Sequence, residues 1–132
     1  MKLLFLSPSR FKLQKENRSM PYIKLNTNTQ ITDKPKLLRE LSQVATKETG
    51  KPESYVMIEL SDNVSMLFGG KDSPLAYLEC KSIGLSEKQA KALSATLCEL
   101  VHAELKISTD RIYIEFSNAP AAFWGYNGST FG

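Results

Sequence analysis

Residue 21 is a proline directly after a methionine, and a strand-like run, Tyr22-Ile23-Lys24-Leu25-Asn26, follows at once. Met20 reads as an internal translation start. An initiator methionine is usually removed ahead of a small residue, and proline qualifies. A chain processed in this way opens with a free secondary amine, which is basic and titratable. With residues 1–19 attached, the same nitrogen is an amide and cannot act as a base. A base whose pKa lies near the working pH is suited to moving protons. An apolar pocket brings an amine into that range by disfavouring its charged form. A proline here also has a plain reading as a strand-edge residue whose missing N–H is harmless. On the residues alone, the plain reading is favoured.

The elements that must position Pro21 follow from periodicity. Tyr22 to Thr27 reads as a strand, rich in β-branched and aromatic residues. Thr32 or Asp33 caps a helix with Pro35 in its first turn, and Leu37, Leu41, Val44 and Ala45 recur at helical spacing. Gly50 ends that helix and Pro52 forbids its continuation. Tyr55 to Leu60 is a second strand, Asp62-Asn63 a turn, and Ser65 to Phe68 a short strand leading to Gly69-Gly70. The pattern then repeats. Leu75 to Ser82 is a strand broken by Gly84, and Ser86 with Gln89 forms a capping box. Ala90, Leu93, Leu97, Val101 and Leu105 mark a second long helix. Arg111 to Phe116 alternates as a strand, with Tyr113, Glu115 and Ser117 opposite Ile112, Ile114 and Phe116. The tail from Ala119 is rich in glycine and aromatic residues and reads as a hairpin. The expected fold is α+β: two β-α-β units forming a four-stranded mixed sheet with both helices on one face. The other face is left uncovered, which a small domain hides by oligomerising.

Composition bounds the function. The 132 residues suit one domain, 42% hydrophobic and 23% charged. The net charge of +3 is uneven. Residues 1–19 carry five basic side chains and one acid, a net +4, which leaves 12 basic and 13 acidic side chains after them, a net −1. Nothing in the body suggests a nucleic-acid surface. Residues 1–19 are read as an N-terminal extension, from a mis-assigned start or a disordered or transit segment, and residues 20–132 as the domain. Leu3-Leu4-Phe5-Leu6 is too short for the apolar run of a secretory signal. No stretch approaches transmembrane length. Cys80 and Cys98 form no Cys-x-x-Cys and read as reduced core thiols. The single histidine, His102, has no metal-like spacing around it, so no metal is expected. No nucleotide motif is present, so no cofactor is expected.

Six stretches together carry a resemblance. They are Pro21-Tyr22-Ile23-x-Leu25-Asn26-Thr27-Asn28, Thr49-Gly50-Lys51-Pro52, Met66-x-Phe68-Gly69-Gly70, Ser82-Ile83-Gly84, Ile107-Ser108-x-Asp110-Arg111-x-Tyr113-Ile114 and Asn127-Gly128-Ser129-Thr130-Phe131. Each is weak alone. In this order, with the proline first, they make residues 21–132 resemble the macrophage migration inhibitory factor family of the tautomerase superfamily. The resemblance implies a homotrimer of such subunits with active sites between them, and keto–enol tautomerisation of phenylpyruvate-like acids, often with dopachrome isomerisation. It implies Pro21 as acid and base, with no cofactor. Lys51, otherwise a solvated lysine, becomes the cation for the substrate carboxylate and also lowers the Pro21 pKa. The backbone N–H of Ile83 is a second donor. Tyr113 enters the pocket of the adjoining subunit, and Tyr22, Trp124 and Phe131 line it, suiting an aromatic α-keto acid. The protein is then expected in the cytoplasm, or exported without a classical signal peptide, with no nucleic-acid or membrane partner.

Departures from the family pattern bear on substrate range. Glu115 stands where the best-known members have asparagine; a carboxylate there repels an anionic substrate or pairs with Lys51. Trp124 stands where a small aliphatic residue is common, and Tyr22 where methionine is. The Cys-x-x-Cys of some members appears as Leu75-Ala76-Tyr77-Leu78, so thiol–disulfide chemistry does not carry over. The rival reading is a signalling or binding protein that keeps the fold with weak or no catalysis.

Overall fold

The computed structural model describes residues 21–132, so the readings of residues 1–19 and of Met20 lie outside the described residues. Strand β1, Tyr22–Thr27, turns Ile23, Leu25 and Thr27 inward by its two-residue period. Helix α1, Lys34–Thr49, starts where the Asp33 side chain accepts from the Lys36 N–H at 3.1 Å and stops at Gly50, whose φ of 72° suits glycine. Strand β2 is Met57–Ser61, β3 is Ala76–Ser82, and helix α2 is Glu87–Leu105. The capping box is present, with Ser86 Oγ accepting from the Gln89 N–H and Gln89 Oε1 accepting from the Ser86 N–H. Strand β4, Ile112–Asn118, follows, and a hairpin of β5, Gly125–Tyr126, and β6, Ser129–Thr130, closes the described chain.

The four long strands lie in the order β2-β1-β3-β4. Each β-α-β unit contributes a parallel pair, β1 with β2 and β3 with β4. The units join through antiparallel β1 and β3, which makes the sheet mixed as the sequence implies. Both helices cover one face. Leu37, Leu41 and Ala45 of α1 and Leu93, Leu97 and Val101 of α2 pack on Ile23, Leu25, Leu78 and Cys80 of the sheet. The opposite face carries polar and aromatic side chains. Its middle row, set by register, runs Glu59, Lys24, Glu79, Glu115 across the four strands.

Two expected elements differ. Tyr55 is not in β2. Pro52 opens a 3₁₀ turn over Glu53–Tyr55, and the Val56 N–H bonds the Glu53 carbonyl, so the strand begins only at Met57. Nor is Ser65 to Phe68 a strand. Phe68 exchanges backbone hydrogen bonds only with Lys71 across Gly69-Gly70. The carbonyls of Phe68, Lys71, Ser73 and Pro74 instead accept from the Arg111 guanidinium at 3.1–3.2 Å. A side chain from the start of β4 thus does for this loop what a neighbouring strand would otherwise do.

Leu97 is fully buried between α2 and the sheet. Leu97→Ala is expected to destabilise the fold by about 2–5 kcal/mol in urea denaturation, and a loss under about 1 kcal/mol would contradict this core.

Candidate active site

Pro21 is fully buried at the head of β1, and its carbonyl accepts from the Met57 N–H at 3.1 Å. That bond ties it to Met57, which with Tyr55, Val56, Trp124, Tyr126 and Phe131 lines a cleft of about 220 Å³. The cleft is aromatic by construction. The Tyr126 and Phe131 rings stack at 5.4 Å, and Tyr55 meets each edge-on, at 5.3 and 6.3 Å. The hairpin at Asn127-Gly128, both with positive φ, returns Phe131 to Trp124, whose carbonyl accepts from the Phe131 N–H at 3.1 Å. The Tyr55 hydroxyl is hydrogen-bonded to Tyr126 and raises the Tyr126 pKa.

The structure thus brings Trp124 and Phe131 together, and adds Tyr55 and Tyr126. Tyr55 was hidden from sequence reasoning because it reads as the start of a strand, and Tyr126 because it is one of several aromatics in a short tail. Lys51 is half-buried after the left-handed Gly50, and its N–H bonds Thr49 Oγ1 at 3.2 Å. Ile83 is buried at the end of β3 and lines a second, shallow groove with Gly84, Pro120, Ala122 and Gly132. Its loop is pinned: the Asn118 amide both donates to and accepts from the Leu85 backbone at 3.1 Å, and the Ala119 N–H bonds the Ser82 carbonyl at 2.8 Å. Phe131 and Gly132 run between the two depressions.

Tyr22 lies on the other face. Its hydroxyl donates to Glu59 at 2.6 Å, which with partial burial and the nearby carboxylates pushes its pKa up to about 12. Tyr113 is 64% exposed on the same open face, against the Phe68 ring at 4.6 Å. The register aligns Tyr113 with Tyr77 and Asn26, five residues along β1 from Pro21 and two strands across. At about 3.3 Å per residue and about 4.8 Å per strand, it stands roughly 19 Å from Pro21 of its own chain. Glu115 accepts from the Tyr77 hydroxyl at 3.2 Å.

The remaining titratable candidates are structural. Cys80 is buried, and that burial pushes its thiol up to about 12. A His102 ring nitrogen meets the Ile107 carbonyl at 2.8 Å just past the end of α2. Among the described residues, no group of three or more His, Cys, Asp or Glu could hold a metal, and no helix is long and apolar enough to cross a membrane.

Comparison with known proteins agrees with the fold. The family model described as macrophage migration inhibitory factor matches residues 20–132. A macrophage migration inhibitory factor homolog of Brugia malayi is 41% identical over 115 residues, covering 86% of this chain and all of the relative. The Mus musculus macrophage migration inhibitory factor is 38% identical, covering 85% of this chain and 99% of that protein. The crystal structure of a homologue from Prochlorococcus marinus superposes with a TM-score of 0.81 at 42% identity, covering 84% of this chain and 99% of that one. That of Trichinella spiralis gives 0.78 at 32% identity, with 83% and 98% coverage.

The Tyr22–Glu59 bond makes a prediction. An acid whose pKa is raised by folding gives stability present below its unfolded value, near 10, and lost as pH rises through about 12. In the phenolate absorbance titration, the Tyr22 component (wild type minus Tyr22→Phe) is expected near 12, and in Glu59→Gln nearer 10. A Tyr22 component near 10 in the wild type would contradict the bond.

Proposed function

Because the chain belongs to the macrophage migration inhibitory factor family, we propose that it is a cofactor-free keto–enol tautomerase of aromatic α-keto acids such as phenylpyruvate, with dopachrome-type isomerisation as a related activity. The free amine of Pro21 is its acid and base, exposed when a chain begun at Met20 loses that methionine, and the domain is residues 20–132. One observation carries the reading: a fully buried proline heads β1, bonded through its carbonyl to Met57 in the lining of an aromatic cleft.

The neutral amine takes a proton from the carbon next to the carbonyl, and the bond's electrons pass to the carbonyl oxygen. The ammonium returns the proton to that oxygen, so no atom or electron is gained or lost. Burial lowers the amine's pKa towards neutrality, and Lys51 adds to that while holding the substrate carboxylate. The Ile83 N–H is the second donor to the carboxylate. Tyr55, Trp124, Tyr126 and Phe131 wall the substrate ring.

Tyr113 is too far to join its own chain's cleft, so it serves the site of an adjoining copy in a homotrimer. The uncovered sheet face, with Tyr113 and the 60% exposed Met57, supports such an assembly. Tyr22, on that face, contributes from there rather than from the cleft. The protein acts in the cytoplasm or is exported without a classical signal peptide.

The test uses protein beginning at Pro21 and follows enol absorbance of phenylpyruvate. Pro21→Gly is expected to leave the assembly intact and lower kcat/KM by about 10²-fold or more. Unchanged turnover would remove Pro21 from the mechanism. Lys51→Ala is expected to raise KM by about tenfold with kcat largely kept, as loss of one charge-assisted contact implies. A wild-type KM would remove Lys51 from carboxylate binding. Absence of turnover in the unaltered protein would leave a signalling or binding protein on the same fold.

A further inference from the structure

The β1–β3 ladder pairs Tyr22 with Lys81 and Ile23 with Cys80. The ladder's last pair is Tyr22 with Lys81, and extending its register by one step sets Pro21, just before β1, against Ser82, the last residue of β3. Alternation puts Tyr22 and Lys81 on the open face, and Pro21 and Ser82 on the helix-covered face with Ile23 and Cys80. All four of the latter are fully buried. Directly opposed residues in such a ladder have Cα atoms about 4.5–5.5 Å apart, so this extended register sets the Ser82 side chain next to the proline ring on the same face.

Ser82 Oγ is buried and finds no hydrogen-bond partner among the described residues. Glu40 Oε1 and Thr46 Oγ1 share that condition, but both belong to half-buried residues of α1. A fully buried hydroxyl without a partner is rare and calls for a cause. Its backbone is fixed by the Ala119 N–H on the Ser82 carbonyl, so a slack loop is not that cause.

The covalent state of Pro21 supplies one. Joined to Met20, the proline nitrogen is a tertiary amide. It has no N–H to give, and its lone pair is delocalised into the carbonyl. A hydroxyl facing it has nothing to bond. Hydrolysis of the Met20–Pro21 bond consumes one water and leaves a carboxylate on Met20 and a secondary amine on Pro21. The neutral amine offers one N–H and a lone pair, and the ammonium two N–H groups.

We propose that Ser82 is the hydrogen-bond partner of the freed Pro21 amine and sets its proton affinity. The inference rests on the reading that Pro21 becomes the amino terminus. Of the two protonation states, the ammonium makes the stronger bond, because a charge-assisted hydrogen bond is roughly twice as strong as a neutral one. Ser82 therefore favours the protonated amine. It opposes burial and Lys51, which favour the neutral one, and keeps the base from falling too low to accept a proton. The other titratable groups on the surrounding elements are Cys80 on β3, Glu48 at the end of α1, Glu53 and Tyr55 in the turn before β2, and Tyr126 in the hairpin. Tyr22, Glu59 and Lys81 are on the opposite face. All of these stay constant when Ser82 alone is changed.

The test is a pH titration by NMR of protein beginning at Pro21 and carrying ¹⁵N-proline, which reads the Pro21 amine without reference to turnover. Ser82→Ala and the near-isosteric Ser82→Cys both remove the hydroxyl, so a packing defect in one does not decide the result. Both are expected to lower the Pro21 pKa by about half a unit or more. A pKa that stays in place or rises in the folded variants overturns the inference. Phenylpyruvate turnover on the same samples separates the two proposals. A Pro21 that titrates as expected in a protein without turnover refutes the tautomerase reading and leaves the Ser82 contact standing. Turnover with an unmoved pKa does the reverse.

Discussion

The antiparallel pairing of β1 with β3, from Tyr22 with Lys81 to Thr27 with Ala76, is the interaction on which the rest of this structure depends. It joins two β-α-β units that would otherwise be separate parallel pairs, and it makes one sheet with a helix-covered face and an open one. It fixes which side chains meet. A slip of one residue would send Ile23 and Leu25 to the open face and turn the core inside out. The same register, extended one step past Tyr22, sets Pro21 against Ser82 and, near the other end of the ladder, aligns Asn26 with Tyr77 and Tyr113. Position in this ladder decides what each candidate residue can reach.

Two consequences follow for the site. The cleft beside Pro21 is built within one chain, from the turn before β2 and the C-terminal hairpin. Tyr113 belongs to the far end of the open face, held by the Phe68 ring and, behind it, by Arg111, whose guanidinium lies 5.2 Å over that ring. Under the proposed assembly, cleft and tyrosine would meet between copies.

Much of this was legible in the sequence because the signals were local. Asp33, Gly50 and the Ser86–Gln89 box mark helix ends by hydrogen bonds that span a few residues, and the apolar periods of both helices point at one sheet. At the expected strand Ser65 to Phe68, the Phe68 carbonyl and those of Lys71, Ser73 and Pro74 just after it answer instead to an arginine about forty residues away. Tyr55 was lost to a 3₁₀ turn that a strand-like composition concealed. Of the cleft, Trp124 and Phe131 could be named in advance, whereas Tyr126 could not, nor could the condition of the Ser82 hydroxyl. What distinguishes Ser82 is neither its type nor its spacing but a missing hydrogen bond, which only three dimensions reveal.

Catalysis by Pro21 turns on one covalent bond, that between Met20 and Pro21. Intact mass and amino-terminal sequencing of the protein isolated from its own source read that bond directly. A terminus at Pro21 is the predicted result, and it would supply the free amine that the cleft and Ser82 surround. A protein that retains residues ahead of Pro21 would carry an amide there and would contradict the assignment of Pro21 as the acid and base.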